Sequence, residues 1–177
     1  MVDTRNPNLD SRFKRSLSSW LQRFAPLRWT LRLVVTLMVT RHRVGAVGVV
    51  LNDQGQVLLA EHVFRPRHPW GLPGGWIKKG EDPARAVKRE IEEELGLRVD
   101  VGRLLMCEPQ GNEPGRYVSH ALSLAFICKP LNEIAAVQSF EILGIEWVDL
   151  DDIKHDLSPI ERKAIALAAA GELASSE

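Results

Sequence analysis

Residues 75–97 read GWIKKGEDPARAVKREIEEELGL, and three of their carboxylates, Glu90, Glu93 and Glu94, lie three and four positions apart. On a helix such positions are neighbours on one face. Each like-charged pair there costs roughly a few tenths of a kcal/mol when exposed, and the ordinary meaning of an acidic run is a solvated surface. The preceding residues argue for a different meaning. Hard divalent cations such as magnesium take oxygen ligands and typically bridge one or two carboxylates to substrate phosphates. A turn at Pro73, Gly74 and Gly75 enters the same region, and glycine permits a close approach of backbone carbonyl to ion that a side chain would block. Carboxylates beside an exposed backbone oxygen form the donor set of a magnesium site, and such a site serves phosphate chemistry.

A helix must carry these carboxylates, and its ends are written locally. Asp82 suits the N-cap, Pro83 the first helical position, and Gly96 the left-handed residue that ends many helices. Ala84, Val87, Ile91 and Leu95 recur at spacings of three and four, which predicts a core-facing stripe with Glu90, Glu93 and Glu94 turned mostly away from its centre.

With those residues in view, positions 75 to 97 resemble a complete Nudix box, G-x5-E-x7-R-E-U-x-E-E-x-G-U with U apolar. Seven positions demand one residue type, so at usages near 7% a chance match in one window is on the order of one in 10^8. The likeness extends more loosely from about Val44 to about Gly171, through the strand pattern and the run Trp70, Gly71, Leu72, Pro73, Gly74, Gly75. It implies an α+β Nudix fold with mixed β-sheets sandwiched between helices. It also implies magnesium- or manganese-dependent hydrolysis of a diphosphate bond in a nucleoside diphosphate linked to another group X. Under the resemblance Glu90, Glu93 and Glu94 become metal ligands with the Gly74 carbonyl as a further one. Arg89 resembles the arginine that holds a glutamate by a salt bridge, and Glu81 matches the isolated box glutamate. The general base in such proteins is either a box glutamate or a glutamate on a later loop; Glu141 sits where that loop acid is often found, and Glu133 is the weaker candidate.

These residue types suit the reaction. Attack of water on a diphosphate develops charge on nonbridging oxygens and on the leaving phosphate, which cations neutralise, and a glutamate within hydrogen-bond reach takes the proton of the water. A covalent intermediate is not called for: Cys107, Cys128 and the Ser119–His120 pair lack a nucleophile context and read as core or strand-surface residues.

Composition frames this as one globular domain with an extension. The chain has 177 residues, 45% hydrophobic and 26% charged, with a formal net charge of zero, so bulk charge points neither to nucleic acid nor to an acidic partner. Two cysteines without metal spacing, and no secretory signal, predict a reducing cytoplasm. Residues 44–51 and 56–63 read as the two strands of a hairpin around the turn cluster at 52–55, residues 98–107 and 116–128 as further strands separated by a loop at 108–115, 145–148 as a short strand, and 159–170 as a helix starting near Pro159. The domain is thus placed at 44–177.

Residues 1–43 form an extra N-terminal arm. Phe13, Leu17, Trp20, Leu21 and Phe24 fall at helical spacing among Arg12, Lys14, Arg15 and Arg23, a basic amphipathic helix over 11–24. Packing of its apolar face on the domain, or on a second subunit in a homodimer, is preferred over contact with an anionic membrane or RNA. The uncharged run 33–40 is far short of the roughly 20 residues that span a bilayer, so no transmembrane segment is expected.

For a nucleotide-derived substrate, His62, Arg65 and Trp70, with Phe64, Arg67 and His68, supply cations and rings suited to phosphates and bases. Individually, His62 and His68 read more readily as surface residues, and Trp70 and Trp76 as packing. Pro114 lies one position beyond the proline marker of ADP-ribose hydrolases, and Tyr117 lies only near the tyrosine marker of dinucleoside polyphosphate hydrolases. Three functions stay open: an ADP-ribose or nucleotide-sugar hydrolase, a nucleoside triphosphate pyrophosphatase, and a nucleotide-binding regulatory module, the last disfavoured by the intact acidic set.

Overall fold

The computed structural model describes residues 29, 30, 34, 43–65, 67–110, 121–134 and 139–175. The chain divides into two compact units, Met1–Arg41 and His42–Glu177. In the first, Trp29, Thr30 and Val34 are helical; the amphipathic helix expected over 11–24 lies outside the described residues.

Helix α1, Pro83–Leu95, begins and ends where its sequence dictates. The Asp82 carboxylate accepts a hydrogen bond from the Arg85 N–H at 3.1 Å, and Gly96, at φ 62°, closes the last turn by donating to the Glu92 carbonyl at 3.0 Å. Its buried face comprises Ala86, Val87, Ile91, Glu94 and Leu95, which corrects one expectation: Glu94 goes inward with the apolar stripe. It follows Ile91 by three positions and Val87 by seven, which brings it round to their side of the helix once the sheet packs there.

Among the described residues seven strands follow the order β1 Val44–Val50, β2 Gln56–His62, β3 Trp70–Gly71, β4 Gly74–Trp76, β5 Val99–Gln110, β6 Ala121–Pro130 and β7 Ile142–Asp149, with helix α2, Pro159–Ser175, after them. They form a four-stranded sheet ordered β4-β1-β6-β5 and a three-stranded sheet ordered β3-β2-β7. The β1–β6 pair is parallel and the other pairings are antiparallel. The hairpin read at 44–63 is overturned. Beyond one bridge between Leu51 and Val57, β1 and β2 part into different sheets. The turn at Asn52 forms as expected, its side chain accepting from the N–H groups of Gln54 and Gln56. But both edges of β1 are taken, by β4 and β6, so β2 pairs with β3 and β7 instead. Strand β5 also runs on to Gln110, so Glu108, expected in a loop, is a strand residue that pairs with Lys163 of α2.

Side-chain alternation along β1 and β2 sorts the core into two clusters. Ala46, Val50, Leu58 and Ala60 pack with Val87, Ile91 and Leu95 of α1; Val49, Leu51, Val57 and Leu59 pack with Ala164, Ile165 and Ala168 of α2. Each fully buried Val, Leu or Ile is worth about 1.5–3 kcal/mol. Gly48 sets how closely α1 approaches: a Cβ there would lie 2.7 Å from Ile91 Cδ1 and 3.2 Å from Val87 Cγ1.

Candidate active site

The turn that opens the acidic segment is made of glycines because nothing else fits. Gly74 pairs with Val47 at φ 140°, and a Cβ on it would lie 2.3 Å from the Ala46 carbonyl oxygen. At Gly75 the obstacle is functional: a Cβ would sit 2.6 Å from the Glu90 carboxyl carbon. The carboxylate of Glu90 therefore packs directly on the Gly75 backbone, which joins the first glycine of the motif to a glutamate fifteen positions later.

Arg89 organises the acidic face. Its Nε and Nη2 donate to the two oxygens of Glu81 at 2.7 and 2.9 Å, its Nη1 lies 2.8 Å from Glu90 and 3.2 Å from Glu93, and Nη2 also reaches the Trp76 carbonyl at 3.3 Å. The planar fork of a guanidinium matches the two-oxygen grip on Glu81. Its hydrogen bond, with another from the Lys78 N–H, holds the Glu81 carboxyl down to about 2. The same contacts push Arg89 still further above its ordinary value.

Glu94 behaves oppositely. It is buried and accepts one hydrogen bond, from the Gly74 N–H at 3.2 Å. Burial pushes it up to about 7 against that hydrogen bond, and the charges of Glu90 and Glu141 push the same way while Arg65 opposes them. A hard divalent cation would hold such a carboxylate ionised, so the oxygen donors fit the ion that the resemblance implies. The expected cluster is not closed, however. Among the described residues no three acidic, His or Cys side chains gather at metal-holding distance; Glu90 and Glu93 pair with Arg89 instead. Glu93 is 56% exposed and lies 3.8 Å from Lys78 besides.

Of the two base candidates, Glu141 is the one whose charge reaches Glu94. It raises Glu94, its carbonyl accepts from the Val63 N–H at 2.8 Å, and its own N–H donates to Ser139 Oγ at 3.0 Å. Glu133 is exposed and follows Asn132, whose side chain ties the carbonyl of Gly96 to the start of β5.

The three residues expected to meet substrate have separate surroundings. His62, read as a surface residue, is 7% exposed, and its Nε2 has no hydrogen-bond partner. It ends β2, its N–H donating to the Pro69 carbonyl at 2.6 Å, and burial, then the Arg65 charge, lower it to about 4. Its ring is therefore not a surface contact. Trp70 stacks on His155 with centroids 4.3 Å apart and packs on the α2 side of the core. Arg65 is 35% exposed, lies close enough to Glu94 to lower it, and pairs with Glu161 at 2.8 Å. Sequence reading missed Glu161. Its signal was the capping box Ser158-Pro-Ile-Glu161 at the start of α2, but nothing local announced a partner 96 residues away. Cys128 is a buried free thiol pushed up to about 12 by burial, and Cys107 is an exposed free thiol on β5.

A helix carrying glutamates against a glycine turn, on sheets flanked by two helices, defines a Nudix hydrolase architecture. A family model described as NUDIX domain matches residues 41–168, and the chain belongs to that family. Over 115 residues it is 33% identical to Nucleoside diphosphate-linked moiety X motif 6 of Xenopus laevis, a match covering 64% of this chain and 53% of that protein. It is 35% identical over 102 residues to the 8-oxo-dGDP phosphatase NUDT18 of Homo sapiens, covering 57% of this chain and 30% of that one. The chain spans about half the length of the first relatives it matches. Among solved structures, a MutT NUDIX hydrolase from Burkholderia pseudomallei superposes with a TM-score of 0.63 at 28% identity, covering 72% of this chain and 98% of that chain. Nudix hydrolases generally use divalent metal ions.

Proposed function

We propose that the chain is a divalent-metal-dependent pyrophosphohydrolase that cleaves a diphosphate bond in a nucleoside diphosphate linked to another moiety X, of the ADP-ribose or nucleotide-sugar type. The observation that carries the reading is the convergence of the Gly74–Gly75 turn, Glu90 and Glu94, with Arg89 fixing the acidic face from behind. Glu90, Glu93, Glu94 and the Gly74 carbonyl would hold magnesium or manganese. When bound, the ion supplies charge neutralisation on the diphosphate oxygens and lowers the pKa of water. Arg89 keeps Glu90 oriented. Glu141 accepts the proton of the attacking water, and its backbone contacts with Val63 and Ser139 give it a defined position. Arg65, partly exposed beside Glu94, meets a substrate phosphate with the guanidinium edge that Glu161 leaves free; the buried His62 lies beside Arg65, and Trp70 stacks on His155.

The relative named as an 8-oxo-dGDP phosphatase favours a second reading, removal of damaged nucleotides, and a regulatory nucleotide-binding module is the third. A cytoplasmic setting is in keeping with the unpaired thiols of Cys107 and Cys128. No helix among the described residues is long and apolar enough to cross a membrane.

Phosphate release from ADP-ribose, nucleotide sugars, dinucleoside polyphosphates, nucleoside triphosphates and oxidised nucleotides, with magnesium, manganese or chelator, tests the proposal. Chelator-sensitive turnover of ADP-ribose or a nucleotide sugar is the expected result. Preference for triphosphates or oxidised nucleotides moves the assignment to the second reading. Nucleotide binding without turnover moves it to the third.

A further inference from the structure

The carboxylate of Glu161 divides its two oxygens between two parts of the fold. Oε2 accepts from the Ser158 N–H at 3.1 Å and the Ser158 hydroxyl at 2.6 Å, closing the N-terminal cap of its own helix. Oε1 faces away from that cap. It accepts from Arg65 Nη1 at 2.8 Å and from the Leu72 N–H at 3.2 Å. A helix cap needs only the first pair of contacts. The second pair reaches the loop that leads to Gly74, and the chain clears room for it: a Cβ on Gly71 would lie 2.3 Å from Glu161 Oε1 and 2.6 Å from Arg65 Nη1. Glu161 is 6% exposed, so its charge is stabilised by these donors and not by water.

We infer that Glu161 is a positioning residue for the hydrolytic site: through Leu72 and Arg65 it fixes the loop that presents the Gly74 carbonyl and aims the Arg65 guanidinium at the substrate diphosphate. The inference rests on the reading of the Gly74, Glu90 and Glu94 region as the reaction site. Leu72 is two residues from Gly74, and both Leu72 and the intervening Pro73 are fully buried. The Pro73 carbonyl is anchored on the other side, by the Gly48 N–H at 2.9 Å. The loop is thereby held at both flanks, by β1 and by α2. The ion pair of Arg65 with Glu161 removes in advance the rotational freedom that a long side chain would otherwise lose on meeting phosphate.

Two variants of the full chain separate this role from simple helix capping. Ser158→Ala removes the hydroxyl contact at Oε2, keeping the Ser158 N–H there, and leaves Oε1 untouched; Glu161→Gln keeps the size of the side chain and removes the charge that holds Arg65. Each is compared with wild type by thermal melting, by amide hydrogen exchange at Leu72, Gly74 and Gly75, and by kcat and KM on the compound of the panel above that wild type turns over fastest. The expected result is that Ser158→Ala lowers Tm with wild-type kinetics and exchange. Glu161→Gln, in contrast, speeds Leu72 exchange at least tenfold, raises KM severalfold through Arg65 and lowers kcat about tenfold through Gly74. A Glu161→Gln protein that melts lower but keeps wild-type Leu72 exchange, kcat and KM overturns the inference. Should wild type hydrolyse nothing, the functional reading falls, and the exchange measurement with the Kd for ADP-ribose still decides whether Glu161 holds the loop and Arg65.

Discussion

Arg89 grips both oxygens of Glu81, at 2.7 and 2.9 Å, across eight positions of sequence. The pair closes the N-terminal side of the acidic face and leaves Nη1 of Arg89 for Glu90 and Glu93. Because Glu81 is held down to about 2 from an ordinary 4.5, its contribution to stability is complete above pH 4.5 and disappears as the pH falls through about 2. Thermal melts of Glu81→Gln should therefore lie below wild type at pH 7, with the gap narrowing below pH 4.5 and vanishing near pH 2. A gap that is constant over that window would mean that the ion pair is not the source.

His62 runs in the same direction for a different reason. Its neutral form is buried beside Arg65 and it titrates at about 4 against an ordinary 6.5. The unfolded chain binds a proton between those values and the folded chain does not, so stability is complete above pH 6.5 and falls as the pH drops towards 4. The whole effect is on the order of 3 kcal/mol. Denaturant titrations of His62→Leu between pH 7 and pH 4 should show a flatter pH dependence than wild type; at pH 7 the loss of its hydrogen bond with the Leu72 backbone is offset in part by removal of the unpartnered Nε2.

For the reaction itself, Glu93→Gln and Glu94→Gln should each reduce kcat by roughly a hundredfold or more with folding retained. Both variants remaining fully active would defeat the metal-site assignment. Glu141→Gln should also lose roughly a hundredfold or more, as expected for removal of a general base, whereas Glu133→Gln should match wild type. The reverse ranking would transfer the base to Glu133.

The seating of α1 depends on Gly48. Gly48→Ala brings a Cβ to 2.7 Å from Ile91 Cδ1 and 3.1 Å from Cys128 Sγ, an overpacking that costs about 1–3 kcal/mol. Ile91→Val deletes the offending Cδ1, so the two substitutions should be less destabilising together than the sum of their separate effects. Strict additivity in chemical denaturation would show that the contact is not responsible.

The chemistry-bearing helix could be read from residues 75–97 because every determinant is local: Asp82, Pro83 and Gly96 set its ends, and the recurrence of Val87, Ile91 and Leu95 sets its buried face. The acidic set and the glycine turn were visible for the same reason. Pairing was not. Val44 to Val50 and Gln56 to His62 carry all the marks of a hairpin, yet which strand lies beside β1 depends on competition from β4 and β6, distant segments whose hydrogen-bonding edges no local pattern reveals. The inward placement of Glu94 and the burial of His62 depended likewise on what folds over them. Glu161 is the clearest case: its capping box was written within four residues, whereas its hold on Arg65 and Leu72 exists only once α2 packs against the loop before β4. Backbone preferences and periodicity act over a few residues and are carried by the sequence itself; partners for charged groups across ninety residues are created by packing, and only the folded chain reveals them.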